Sequence, residues 1–300
     1  MFWQIRQGIL RDWFNIQCNT ILKTKPVFSN SKDDLAIVTM VSHLDILMYI
    51  VAIKSFFRRI NHGKVIVLND GSLTNSDKTK LKTHINSLQI IDIEDIRSNN
   101  VPRRGCWERI WLISELVKDC YVVQLDADTV TINDIPEVIN NINMNRSFAI
   151  GTEQNQNILP IYFACEKAKL WNSDFIQVVA ESNFDKLKNY NNLKYTRCSA
   201  SFTGFAKNSF SNKEIIDFSM QMENIIGLRW NNWGSEQVTS NYIICNSADA
   251  NILPYPRYAS YHANPEINYK NSSFLHFIGT SRFKNGLYIN RVKEVLSNLE

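Results

Sequence analysis

From Leu35 to Asp126 the chain alternates between short apolar, β-branched runs and amphipathic helical segments, an order that few folds accommodate. Leu35–Val41, Lys64–Leu68, Leu88–Ile93 and Cys120–Leu125 read as strands. Ile46–Arg59, Ser76–Ile85 and Arg109–Lys118 read as the helices between them, with Ser76 or Asp77 near the cap of the second. Strands that recur roughly every 25 residues with helices between them imply a mostly parallel central sheet with flanking helices. The predicted class is α/β and Rossmann-like. In such sheets ligands sit at the carboxyl ends of the strands. Val41, Asp70 and Asp126 all arrive there, Asp70 in the turn Asn69-Asp70-Gly71-Ser72.

Beyond Asn145 the alternation degrades. Phe148–Gly151 and Ser199–Ala206 read as strands, Asp174–Leu187 and Lys213–Ile225 as helices, and Asn246–Ser273, with Pro254, Pro256 and Pro265, as irregular. No internal repeat or second-domain boundary is visible, so residues 35–300 are expected to form one domain. That length, with 44% hydrophobic residues, can bury a sizeable core. Residues 1–34 read as an N-terminal helical extension and a polar linker. Phe2, Ile5, Ile9, Leu10, Trp13, Phe14 and Ile16 fall mostly on one side at helical spacing, among Arg6, Arg11, Lys23 and Lys25. Two readings stand for residues 1–25: a helix docked on the body, or a basic amphipathic anchor in peripheral contact with a membrane.

No apolar run approaches the roughly 20 residues that span a bilayer. The N-terminus also lacks the charged start, apolar stretch and cleavage site of a secretory signal. Cys18, Cys106, Cys120, Cys165, Cys198 and Cys245 are scattered without metal-binding spacing and are expected as reduced, buried thiols. Together these predict a cytoplasmic protein, in which the sequons at Asn145 and Asn271 stay idle. A net charge of +4 suits a polyanionic small ligand or an anionic membrane surface, and is too mild for a nucleic-acid footprint.

The segment that carries chemistry is Tyr121-Val122-Val123-Gln124-Leu125-Asp126-Ala127-Asp128-Thr129-Val130. Two carboxylates one residue apart, just past a buried strand, point into the ligand crevice. Held together they repel, and need a cation or a proton. A hard divalent ion, Mn²⁺ or Mg²⁺, that also bridges two phosphates meets that need. The plainer alternative is a strand and turn in which Asp128 caps the segment after it. Phosphatases of the haloacid dehalogenase type also place D-x-D-x-T after a strand, the first Asp acting as nucleophile. Their motif normally ends the first strand of the core and is joined by a later acidic pair. Here two or three strand–helix units precede Asp126, and no convincing acidic pair follows.

On these residues the chain resembles the metal-dependent glycosyltransferases of the glycogenin and lipopolysaccharide galactosyltransferase type, glycosyltransferase family 8, over residues 35–290. The resemblance implies a single GT-A domain that transfers sugar from a UDP-sugar with retention. Asp126 and Asp128 match the metal-binding pair, and Ala127 between them the nucleotide-binding position. Arg109, in Trp107-Glu108-Arg109-Ile110, resembles the basic residue that reaches donor sugar and phosphates. A guanidinium suits that role because it is always charged and chelates oxygens in pairs, although a solvated helix Arg is the alternative. Glu236-Gln237-Val238-Thr239-Ser240-Asn241 resembles the acidic-Gln segment lining the donor sugar, departing at Val238, where an acidic residue is common. His276-Phe277-Ile278-Gly279-Thr280-Ser281-Arg282 is similar to the His-x-x-Gly-x-x-Lys element. There the His, here His276, is the third metal ligand, and the positions of Gly279 and Arg282 approach the pyrophosphate. Phe283 and Lys284 stand where Pro-Trp is usual. Val41-Ser42-His43 matches the seat of the nucleobase and ribose. Asn69-Asp70-Gly71-Ser72 resembles the Asp-Asp-Gly-Ser turn of inverting synthases in the wider GT-A group. Asp70 either accepts bonds from uracil or ribose, or is simply a turn residue before Gly71.

The expected reaction moves sugar from a UDP-sugar to a hydroxyl of a glycan or lipid-linked acceptor. Arg109 and Arg282 would stabilise the leaving group. Under retention the departing phosphate accepts the acceptor proton, with Gln237 near the anomeric carbon. Under inversion a carboxylate must activate the hydroxyl, and Glu236 is the candidate. Trp230 and Trp233 are either acceptor-stacking surfaces or core. Nucleotidyl transfer would want a Gly-rich basic loop after the first strand, which Ser42-His43-Leu44-Asp45 does not supply. A non-catalytic sugar-nucleotide-binding protein is the remaining alternative.

Overall fold

A computed structural model describes residues 2–299, with side chains from Ile5 onward. The side chain of Phe2, first in the predicted N-terminal stripe, lies outside the described residues. The strands that matter are β1 (Leu35–Val41), β2 (Lys64–Asn69), β3 (Gln89–Asp92), β4 (Tyr121–Leu125), β5 (Thr129–Thr131), β6 (Phe148–Ile150), β7 (Ser199–Phe205), β8 (Asn251–Leu253), β9 (Tyr258–Ser260) and β10 (Phe274–His276). Seven of them form the central sheet in the order β8–β6–β7–β4–β1–β2–β3. β1 to β4 are mutually parallel. β7 enters between β4 and β6 antiparallel to both, and β8 returns parallel to β6.

The helices are α1 (Phe2–Cys18), α2 (Ile46–Ile60), α3 (Asn75–His84), α4 (Trp107–Leu116), α5 (Pro136–Asn143), α6 (Ile161–Lys169), α7 (Ile176–Glu181), α8 (Asn212–Ile226), α9 (Ser235–Asn246) and α10 (Leu287–Leu296). Alternation along the strands sorts the core into two layers. Leu35, Ile37, Val65, Val67, Val123 and Leu125 join one cluster with Tyr49 and Ile53 of α2 and Val292 of α10. Ala36, Val38, Ile66, Leu68 and Val122 join the other with Ile113 of α4, Phe218 of α8 and Val238 of α9. Both faces are covered, which is why these strands read as continuous apolar runs. Each buried Val, Leu or Ile contributes roughly 1.5–3 kcal/mol.

The predicted strands and helices before Asp126 are present, with ends shifted by a residue or two. The cap of α3 is Thr74 rather than Ser76 or Asp77. Its Oγ1 accepts from the Asp77 amide at 3.2 Å, while the Asp77 carboxylate accepts from the Thr74 amide at 2.9 Å. The helix expected over Asp174–Leu187 is only α7 plus a separate turn at Phe184–Lys186. The stretch read as irregular contains β8 and β9. α1 docks through Phe14, Cys18 and the following Ile21, all buried, and Phe14 lies 4.4 Å from Tyr288 of α10. Its opposite side, Ile5, Ile9, Trp13 and Ile16, is exposed. The cysteines are free thiols, all buried except half-buried Cys106.

Candidate metal and nucleotide-sugar site

β4 ends at the carboxyl edge of the sheet, and the chain there turns sharply. The Asp126 amide donates to the Ser201 carbonyl of β7 at 2.8 Å, and Thr129 Oγ1 folds back onto the Asp126 carbonyl at 2.8 Å. β5 then pairs antiparallel with β10, setting Thr129 opposite His276, while the Phe277 amide donates to the Asp128 carbonyl at 2.8 Å. Two three-residue strands thus carry His276 to the aspartate turn. One ligand atom from each of Asp126, Asp128 and His276 lies within 4.8 Å of the others.

The imidazole orientation favours metal binding. Ser260 Oγ donates to Ser199 Oγ at 3.3 Å, so it is free to accept from His276 Nδ1, 3.0 Å away. With the proton on Nδ1, Nε2 would offer its lone pair to a cation beside Asp128 Oδ1, 3.4 Å away; with both nitrogens protonated the same contact is an ion pair. Two carboxylates and one such imidazole are a donor set for a hard or borderline divalent ion, so the residues fit Mn²⁺ or Mg²⁺.

Two arginines flank the carboxylates. Arg109, buried in the first turns of α4, donates from Nη1 to Asp126 Oδ1 at 2.5 Å. It is not the solvated helix residue of the alternative reading. Arg282 donates from Nη2 to Asp128 Oδ2 at 2.6 Å and from Nε to the Phe277 carbonyl at 3.1 Å. Burial works against the Asp128 charge, but His276 and Arg282 hold its carboxyl down at about 2. Gly279, between His276 and Arg282, has φ +43° and open space where a side chain would stand.

The backbone reaches Arg109 through Arg104, Gly105 and Cys106, with φ of 71°, 61° and 72°. Three consecutive left-handed residues are strained wherever a Cβ is present, and they bring Gly105 against Trp233 and Glu236. Glu236 opens α9, buried, its Oε2 accepting from the Gly234 amide at 2.9 Å. Burial raises its pKa from 4.5 to about 7, against the pull of Arg109. A carboxyl with a higher pKa folded than unfolded binds more protons when folded, so its contribution to stability falls as pH climbs from about 4.5 towards 7. Glu236→Gln is therefore expected to match wild type near pH 4.5 and to exceed it by up to ~3 kcal/mol above pH 7. Urea unfolding across that range checks this, and a gap that fails to widen with pH contradicts it.

The other predicted residues fall around this centre with their own partners. Gln237 is half-buried and donates to the Cys198 carbonyl at 2.9 Å. Val41 is buried at the end of β1, and Ser42 Oγ donates to Asp45 at 2.6 Å. His43 donates its amide to Ser72 Oγ at 2.8 Å and has Nδ1 2.7 Å from Asp77. Asp70 Oδ1 accepts from the Ser72 amide at 2.9 Å and hydroxyl at 2.6 Å, so in this structure it closes its own turn. Ala127 is buried between the aspartates. Trp230 is core, packed edge-on against Trp107 with Nε1 donating to Ser219, whereas Trp233 is exposed. Sequence reasoning did not find Ser260, Ser199 or Asp45. None carries a local motif, and Ser260 falls in the stretch read as irregular.

No protein-family model and no curated protein matches this chain. Solved structures do. The bifunctional glycosyltransferase WbbM superposes with a TM-score of 0.57 at 15% identity, over 90% of this chain and 51% of that one. The fold is that of the GT-A glycosyltransferases. An active-site mutant of LgtC superposes with a TM-score of 0.51 at 10% identity, over 87% of this chain and 95% of that one. The glycosyltransferase GlyE of Streptococcus pneumoniae TIGR4 gives 0.51 at 13% identity, over 88% and 61%. The chain thus spans about half of WbbM and nearly all of LgtC.

Proposed function

We propose that the protein is a metal-dependent glycosyltransferase that moves a sugar from a UDP-sugar to an acceptor hydroxyl, with retention, as members of glycosyltransferase family 8 do. The observation that carries this is the convergence of Asp126, Asp128 and His276 at the carboxyl edge of a GT-A sheet, flanked by Arg109 and Arg282. A bound Mn²⁺ or Mg²⁺ would supply positive charge where the diphosphate departs. Asp126, Asp128 and His276 would hold that ion, with Ser260 bonded to the other ring nitrogen of His276. Arg109 and Arg282, beside the same carboxylates, would offer guanidinium donors to the diphosphate.

In the transfer, the bond from anomeric carbon to diphosphate oxygen breaks and one to the acceptor oxygen forms. The acceptor proton passes to the departing phosphate. Gln237 lies beside the sugar, while Val41, Ser42, His43, Asp70 and Ala127 line the nucleoside side. One observation favours inversion as a second reading: Glu236, with a pKa of about 7, is in the range a general base needs. The phosphatase alternative is dropped, because Asp126 follows the fourth of the parallel strands in chain order and binds Arg109.

A lipid-linked acceptor would fit the exposed stripe Ile5, Ile9, Trp13 and Ile16 beside Arg6, a surface suited to peripheral membrane contact through residues 1–25. Sedimentation with anionic vesicles that Trp13→Asp leaves unchanged would remove that idea. No helix among the described residues is long and apolar enough to cross a membrane.

The test of the reaction is a donor-hydrolysis screen across UDP-, GDP- and CDP-sugars with Mn²⁺. Turnover is expected for a UDP-sugar, lost with chelator and restored by excess Mn²⁺. Undiminished turnover in chelator would overturn the metal assignment. NMR of the product anomer decides between retention and inversion.

A further inference from the structure

A second concave feature opens at the same edge of the sheet, a cavity of about 150 Å³. Thr152 and Glu153, just past β6, and Thr196 and Arg197, just before β7, form one side. α6 and the turn after it supply Phe163 and Trp171. Beneath these lies a fixed polar floor. Glu181 is buried, accepts from the Tyr195 hydroxyl at 3.0 Å and from Arg197 Nε at 2.9 Å, and also receives Arg197 Nη2. The Arg197 guanidinium lies over the Trp171 ring, 4.7 Å from its centroid. Gln156 ties the two sides together, accepting from the Thr152 amide at 2.6 Å and donating to the Arg197 carbonyl at 2.8 Å.

The pair is a buried carboxylate under a guanidinium whose side chain stays 27% exposed, so part of its polar surface faces the cavity. Its arrangement here, beneath half-exposed Phe163 and Trp171, is a prebuilt recognition surface. We propose that this cavity seats one neutral pyranose ring of the acceptor saccharide. The proposal rests on the glycosyl-transfer reading above.

Three observations select that ligand. The lining carries as many bases as acids: Arg197 is bound to Glu181, and exposed Lys167 stands 3.9 Å from exposed Glu153. The lining therefore has no excess positive charge to favour a phosphate or an acidic sugar over a neutral one. Arg197 covers one face of Trp171, and Tyr162 packs on Phe163 at 4.0 Å. The Trp171 and Phe163 rings nevertheless stay half-exposed and offer apolar surface to the C–H face of a pyranose, while Glu153, Thr196 and Arg197 Nη1 can bond its hydroxyls. The turn 197–199 also links this cavity to the metal cluster. The Cys198 carbonyl accepts from Gln237 Nε2, and Ser199 touches Ser260, which holds His276.

The test applies the full chain to an array of neutral and acidic oligosaccharides, titrates the hits by calorimetry, and titrates UDP with Mn²⁺ separately. A neutral oligosaccharide is expected to bind, with affinity lowered about ten-fold by Trp171→Ala and largely kept by Trp171→Phe. Trp171 is half-exposed, so the variants should fold, which thermal unfolding verifies. Absence of saccharide binding, preference for acidic glycans, or indifference to Trp171→Ala overturns the cavity assignment alone. Failure to bind UDP with Mn²⁺ overturns the transferase reading beneath it.

Discussion

Asp128→Asn is expected to lower kcat/KM for sugar transfer by about 10³-fold, equivalent to roughly 4 kcal/mol of transition-state stabilisation. The substitution keeps the shape of the side chain and removes its charge. Asp128 is the better anchored of the two acids, between His276 Nε2 at 3.4 Å and Arg282 Nη2 at 2.6 Å, and its pKa of about 2 keeps it ionised at any working pH. Without it, one carboxylate faces two guanidiniums, Arg109 and Arg282, so the cluster goes from balanced charge to a net positive one at the seat of the proposed ion. The loss should show in both metal affinity and turnover. Raising Mn²⁺ should therefore recover part of the KM effect and little of kcat. A variant that retains more than a tenth of wild-type activity at ordinary Mn²⁺ would remove Asp128 from the candidate ligands.

The elements and residues legible in the sequence are those whose signal is local. β1, β2 and β4 announce themselves because burial on both faces makes them continuously apolar, and Asp126 and Asp128 follow directly from where β4 stops. Family resemblance singled out Arg109 for the donor sugar and phosphates, but its contact with Asp126 was not legible, since a helix residue carries no mark of what it will face. β5 and β10 escaped notice because three residues are too few to show a period of two. Yet this pair brings His276 to Asp128. Ser260, 3.0 Å from His276 Nδ1, sits on β9 in a stretch whose prolines mask the strand. The Glu181–Arg197 pair joins α7 to the approach of β7, and no spacing rule connects those segments. Trp230 and Trp233 look alike in sequence, but only the former has a hydroxyl, that of Ser219, waiting for its indole nitrogen in the core.

The largest stability effect is expected at Gly204, where Ala should destabilise the protein by roughly 3 kcal/mol or more. Gly204 lies in β7, paired with Val123 of β4 on one side and Phe148 of β6 on the other. A Cβ there would stand 2.2 Å from Phe148 Cε1 and 2.3 Å from the Tyr121 hydroxyl oxygen. Neither neighbour can retreat easily. Phe148 is fully buried, with Phe202 5.2 Å away, and the Tyr121 hydroxyl donates to the Arg146 carbonyl at 2.7 Å. Gly151 is the contrast: its nearest obstacles are Gln156 Oε1 at 2.7 Å and Ile252 Cγ2 at 3.0 Å, side-chain ends rather than a ring. Gly151→Ala should therefore cost less than Gly204→Ala, at the expense of the Gln156 bonds to Thr152 and Arg197. Because the Asp126 amide is braced on Ser201 of the same strand, any displacement of β7 that makes room for the added methyl also moves the aspartate turn. Gly204→Ala should therefore lose Mn²⁺ affinity along with stability. Urea unfolding and calorimetric metal titration read the two effects, and an unchanged midpoint would contradict the packing of β7 between β4 and β6.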